Sequence, residues 1–190
     1  MKDSIFEKEI SYIKKDRYKE NIKILINMLP DYFFEVAASS TGKYHPKFAL
    51  GSGGLVRHTK AAVRIAYELF LDKSFSETFT ADEEDMMIMA IIMHDGLKHG
   101  IKKEKYTRFD HPVLMANFIE ENKNELTLTK AEVEFIKEVI ASHMGPWNTN
   151  PYSDVILPVP QNKYQKFVHL CDYLASRKFL DITFKNDDID

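Results

Sequence analysis

The feature that most constrains this chain is an unbroken apolar run, residues 86–93, that ends on His94-Asp95. Upstream, Thr80-Ala-Asp-Glu83 has the pattern of a capping box, which predicts a helix opening there and running through Met93. A helix apolar on most of its faces is a central, buried one. The run is far too short to span a bilayer. Other helices must therefore wrap around it, and a histidine and a carboxylate must sit at the end of the most buried element. A buried carboxylate is costly unless it is paired or bound to a metal.

The rest of the pattern supplies the wrapping. Residues 1–30 read as one amphipathic helix closed by Pro30. Residues 38–46 are rich in turn formers, and Gly51-Ser-Gly-Gly54 precedes a helix over 55–71. A charged loop over 98–110 leads into a helix that His111-Pro112 opens and that runs to about residue 121. A second capping box, Thr129-Lys-Ala-Glu132, opens a helix to about residue 142. Residues 145–160 hold four of the seven prolines and read as a long loop, within which 154–157 is the best, short strand candidate. The last helix is predicted over 161–180, and the polar tail 185–190 is expected to fray. The expected fold is all-α: one domain over residues 1–190, with five or six main helices.

Composition limits the partners. A chain of 190 residues with 44% apolar and 29% charged residues can build one ordinary core without a disulfide or a structural metal. Its single cysteine, Cys171, excludes an intramolecular disulfide and fits a reducing compartment. No signal peptide or membrane segment is read, so a cytoplasmic location is expected. A net charge of −3 disfavours a nonspecific nucleic-acid coat protein, which needs a broad basic surface.

Histidines concentrate the chemistry. His58 lies in the first turn of its helix, His111 opens one, His143 closes one, and Asp172 sits inside the last, flanked by Leu170, Cys171 and Leu174. Each alone is more often structural than a ligand. Separate helices that each offer an imidazole or carboxylate are how bundles build metal sites.

The order His58, His94-Asp95, Asp172 resembles the HD phosphohydrolase superfamily, named for its His-Asp pair. Gly53-Gly54-Leu55-Val-Arg-His58-Thr59 is similar to the family's Gly-Gly-Leu-x-x-His-Thr entrance. Met93-His94-Asp95-Gly-Leu-Lys98 is similar to its His-Asp-x-x-Lys element, and His169-Leu-Cys-Asp172 to its closing helix. The resemblance covers about residues 45–180. It is closest to a branch containing a bacterial 3′→5′ exoribonuclease, although this chain leaves no room for that enzyme's nucleic-acid-binding OB domain.

The resemblance implies an HD helical bundle with the metal site between helices. His58, His94, Asp95 and Asp172 would hold one divalent ion, and Asp95 would bridge to a second held by His111 and His143. Mn²⁺, Mg²⁺ or Fe²⁺ suit mixed imidazole and carboxylate ligands, with zinc and nickel as alternatives. The implied activity is phosphoester hydrolysis by metal-activated water, with Asp95 and Lys98 in catalytic positions. A small phosphorylated substrate is expected, a nucleotide first and a short single-stranded nucleic acid second, with no membrane partner. Two alternatives stay open: an HD-fold di-iron oxygenase, and a non-catalytic nucleotide-binding module.

Around the ligands, Lys98, Lys102, Lys103, Lys105 and Arg108 against Glu104 make residues 98–108 a segment of net charge +4. Its two readings are a solvated loop and an anion-binding rim. Lys102, Lys105 and Arg108 are carried as candidate substrate contacts, as is Arg177, which reads equally as a solvated helix-end charge. His45 lies upstream of the Gly-Gly turn and is a further candidate. Trp147, like Tyr106 and Phe109, could stack on a base, or it could be a packed loop residue. His99 is expected to be exposed, His169 to pack beside the ligands, and Cys171 to fill core.

Overall fold

The computed structural model describes residues 1–43, 45–180, 182–186 and 188–189. Its helices are α1 (Glu7–Ser11), α2 (Asp16–Met28), α3 (Gly54–Leu71), α4 (Lys73–Ser76), α5 (Ala81–Met93), α6 (His111–Glu121), α7 (Lys130–Ala141) and α8 (Lys163–Ala175). Six of these are long, and the fold is the all-α bundle the sequence predicts. The sheet present is one antiparallel pair of two-residue strands, β1 (Phe184–Lys185) and β2 (Asp188–Ile189), with Phe184 opposite Ile189.

α5 is the axis. Both halves of its predicted capping box form, with Thr80 and Glu83 satisfying each other's backbone amides. Every residue of the apolar run is buried. α2, α3, α7 and α8 pack around it, while α6 lies on α7 and α3 on α8. The second capping box, at Thr129 and Glu132, also forms. Among the described residues, no helix is long and apolar enough to cross a membrane.

The Gly-Gly turn does two different jobs. Gly53 starts α3 from a left-handed backbone, φ +69°. Gly54 lies so close to the preceding loop that a Cβ there would sit 2.3 Å from the Ala49 carbonyl oxygen. The Gly53 and Leu55 amides donate to the Glu35 and Val36 carbonyls, which hold that loop against the start of α3. His45 is thereby laid over His58.

Four expectations need correction. The N-terminal segment is not one helix: a 3₁₀ turn, Lys2–Phe6, runs into α1, and the chain turns before α2. The cause is distant in sequence. The buried Asp85 carboxylate of α5 accepts the Lys14 and Lys15 amides at 2.9 Å each, so these donors are satisfied outside any helix. The last helix ends at Ala175 rather than near residue 180. Residues 154–157 form no strand; the local β-feature is a single bridge between Asn150 and Ser153. The tail is docked rather than frayed, because Lys8 Nζ donates to the Ile189 carbonyl, Lys60 Nζ pairs with Asp188 at 2.6 Å, and Ile189 joins the core. Tyr44 of the predicted loop and Asp187 and Asp190 of the predicted tail lie outside the described residues.

Candidate metal centre

The six predicted ligands meet at one point. His58 comes from α3, His94-Asp95 from the end of α5, His111 from the start of α6, His143 from just past α7, and Asp172 from α8. His58 Nε2 stands 3.0 Å from Asp172 Oδ1 and 3.7 Å from Asp95 Oδ2. His94 Nε2 is 3.3 Å from Asp95 Oδ2 and 3.5 Å from Asp172 Oδ1. On the other side of Asp95, Oδ1 lies 3.0 Å from His111 Nε2 and 3.8 Å from His143 Nε2. Three overlapping sets result: His58, His94 and Asp95; His94, His143 and Asp172; and Asp95, His111 and His143. Within each, the ligand atoms all lie within 4.8 Å of one another. Five of the six residues are buried, and only the Asp172 side chain, 19% exposed, opens the cluster to solvent.

Three of the imidazoles are oriented by one repeated device. His94, His111 and His143 each hydrogen-bond through Nδ1 to the carbonyl three residues earlier, of Ile91 at 2.6 Å, Arg108 at 2.6 Å and Ile140 at 2.8 Å. A carbonyl can only accept, so Nδ1 carries the proton and Nε2 is the free face turned inward. These are short-range bonds, made possible by the histidines' places at helix ends.

The charges also suit a cation. Burial works against the Asp95 carboxylate, yet Lys98 and His94 hold its pKa well below the usual range. Asp172 is likewise held down against burial, by His58 and His94. Burial and the neighbouring His94 keep His143 neutral, with its pKa lowered to about 3. For His94, burial is outweighed by Asp95 and Asp172, and its pKa rises to about 10; the two carboxylates thus draw positive charge to Nε2, a place where a bound metal would stand in for the proton. Despite these contacts, His94 Nε2 and Asp95 Oδ1 are buried polar atoms with no hydrogen-bond partner. A cluster of ionised carboxylates and inward-facing nitrogens, with orphaned atoms at its centre, fits a divalent cation.

The other candidates are distributed unevenly. Lys98 is buried, and its Nζ donates to Asp95 Oδ2 at 2.5 Å. His45 is brought to the cluster: its ring meets that of His58 edge-on at 5.0 Å, and its Nδ1 is buried without a partner. Lys102 and Lys105 are exposed, and Lys105 Nζ lies 5.2 Å from the centre of the Tyr106 ring. Arg108 is not a free anion contact. Its guanidinium is shared between Asp110 and Glu104 at 2.6–2.8 Å, and its carbonyl orients His111. Arg177 lies over the Tyr173 ring at 4.3 Å, and Trp147 stacks on the same tyrosine.

His99 is buried rather than exposed, because its Nδ1 bonds to the Glu104 carbonyl and its ring packs on Tyr32. Sequence reading missed Tyr32 altogether. Its hydroxyl donates to the Gly100 carbonyl at 2.5 Å and receives the His99 amide at 3.3 Å, bracing the turn that follows Asp95. Nothing local in the sequence marks a tyrosine that acts across 67 residues. Cys171 fills core as expected, and burial pushes its thiol pKa up.

No curated protein and no solved structure matches the chain. Residues 55–177 do match the family model for the HD domain, a stretch that starts with α3, takes in all six clustered ligands and closes just beyond α8. HD domains bind divalent metals and are generally hydrolases, and the buried His/Asp cluster is able to hold such a metal. The match spans well over half of the chain and contains the cluster, so the chain belongs to the HD domain family.

Proposed function

We propose that the protein is a metal-dependent phosphohydrolase that cleaves a phosphoester of a nucleotide or short oligonucleotide. The observation that carries this reading is the sharing of Asp95 between two triads, one with His58 and His94, the other with His111 and His143. Two ions are the expected complement, with Asp172 completing the first set. Such ions, when bound, activate water and withdraw charge from phosphate oxygens.

The chain's own groups supply the remainder. Lys98 keeps Asp95 ionised in a buried place. An ammonium has three donors, so those not used on Asp95 serve a phosphate oxygen or the leaving group. Asp172, the partly exposed ligand, marks the mouth of the site. Exposed Lys102, Lys103 and Lys105 on the loop between Asp95 and His111 steer an anion toward it. His45, packed on His58, borders the same space. The buried lone cysteine suits a reducing compartment, such as the cytoplasm.

The test is a panel of mononucleotides, triphosphates, cyclic nucleotides and short RNA and DNA, each with Mn²⁺, Mg²⁺ or Fe²⁺, following phosphoester cleavage. Metal-dependent cleavage of at least one member, lost on chelation, is the expected result. Oxygen-dependent consumption of an organic substrate with no phosphoester cleaved would replace the hydrolase reading with an oxygenase.

A further inference from the structure

We infer that Trp147 and Tyr173 form a stacking platform for the base of the nucleotide, built on the segments that carry His143 and Asp172; this rests on the phosphohydrolase reading above. The two rings are nearly parallel, 10° apart, with centroids 5.7 Å from each other. Trp147 is 50% exposed, so the indole uses part of its surface on Tyr173 and offers the rest to solvent. The Arg177 guanidinium also lies against Tyr173, 4.3 Å from the centre of its ring.

The mounting separates this tryptophan from an incidental surface aromatic. Tyr173 directly follows Asp172, the ligand at the mouth of the site. On the other side, His169 donates from Nδ1 to the His143 carbonyl at 2.7 Å. The loop bearing Trp147 is pressed onto that same imidazole. Gly145 takes φ +62°, and a Cβ there would lie 2.2 Å from His169 Cε1. The His169 ring in turn lies 6.0 Å from the indole and 6.1 Å from the Tyr173 ring. Trp147 is thus held to the two segments that carry His143 and Asp172. A ring fixed in this way loses little freedom when a ligand stacks on it.

The chemistry of a nucleotide matches the arrangement at both ends. Its phosphate needs the cationic centre, and its base needs a flat apolar face. Base stacking on an aromatic ring is tolerant of sequence, because every base has a π-face. Arg177 adds a cation beside the stack without competing for the metal ligands. The platform therefore selects for the presence of a base more than for its identity.

Trp147 is the only tryptophan in the chain, so its fluorescence reports the contact directly. The full chain, with Mg²⁺, is titrated with adenosine 5′-monophosphate and separately with ribose 5-phosphate, which carries the same phosphate without a base. Saturable quenching by the nucleotide alone is expected. In turnover, Trp147→Ala should raise KM for a nucleotide about tenfold relative to ribose 5-phosphate, with kcat changed much less, and Trp147→Phe should restore most of the difference. Phosphate release by the parent with no nucleotide-specific quenching and an unaltered KM ratio in Trp147→Ala overturns the platform while leaving the hydrolase. Nucleotide-specific quenching without phosphoester cleavage under any metal does the reverse. The fluorescence titration uses the unaltered chain, so it decides even if Trp147→Ala folds poorly.

Discussion

Asp95 touches more of the site than any other side chain. One oxygen meets Lys98, His58 and His94, and the other faces His111 and His143. Asp172 has a narrower part, closing the set around His58 and His94 from the solvent side. That difference suits Asp172 to a clean test. Asp172→Ala removes one candidate ligand at the rim and leaves the apolar core of α8 in place. Its metal content, measured by plasma emission after dialysis against Mn²⁺, should fall sharply while the far-ultraviolet dichroism keeps its helical form. Full occupancy in the variant would take Asp172 out of the ligand set. The same loss should appear in stability. Mn²⁺ should raise the Tm of the parent in a concentration-dependent way, because it binds the folded state, and should raise that of Asp172→Ala far less.

Among the elements, α7 shows how a local signal and a distant contact combine. Glu132 closes the capping box with Thr129, as its spacing predicts, but it also accepts two hydrogen bonds from Arg17 and one from Tyr18. The Arg17 contacts lead in holding its carboxyl down to about 2 from an ordinary 4.5, against the opposing effect of burial. A folded pKa below the unfolded one means the stabilisation is complete above pH 4.5 and is lost as pH falls toward 2. Glu132→Gln should therefore lower stability by roughly 1–2 kcal/mol at pH 7. In thermal melts the gap to the parent should close between pH 4.5 and 2; a gap independent of pH would mean the charge is not what matters. The starts of α5, α6 and α7 were legible because their capping boxes, and the Pro of α6, act within one turn. The break before α2 was not, because the acceptor that takes those amides, Asp85, is about seventy residues away.

At the scale of the whole molecule, the two chain ends meet on α3. Lys60, 3% exposed, pairs with Asp188 of β2 and lies 3.9 Å from Glu9 of α1, itself 2% exposed. Burial raises the Glu9 pKa, and Lys60 only partly offsets it. Removing one member strands the other. Lys60→Met should destabilise the protein by roughly 3 kcal/mol, read from urea unfolding with an unchanged m-value. Adding Glu9→Gln should recover a good part of that loss, since it removes the stranded charge. A double variant as weak as the single would show that packing of the lysine stem, rather than charge, sets the effect.

The amino-acid sequence by itself determined the helical class and the central place of α5, and its resemblance to the HD family marked six candidate ligands. Those properties are written in short-range periodicity, capping spacing and local motifs around His58, His94-Asp95 and Asp172. Only the tertiary structure decided that the six converge, that Asp95 is shared between two triads, and that Arg108 is committed to Glu104 and Asp110. It alone set Trp147 on Tyr173 and docked the tail on α3. The reason is physical: a side chain's partners across the bundle depend on how the helices pack, and no local spacing encodes which residue stands opposite.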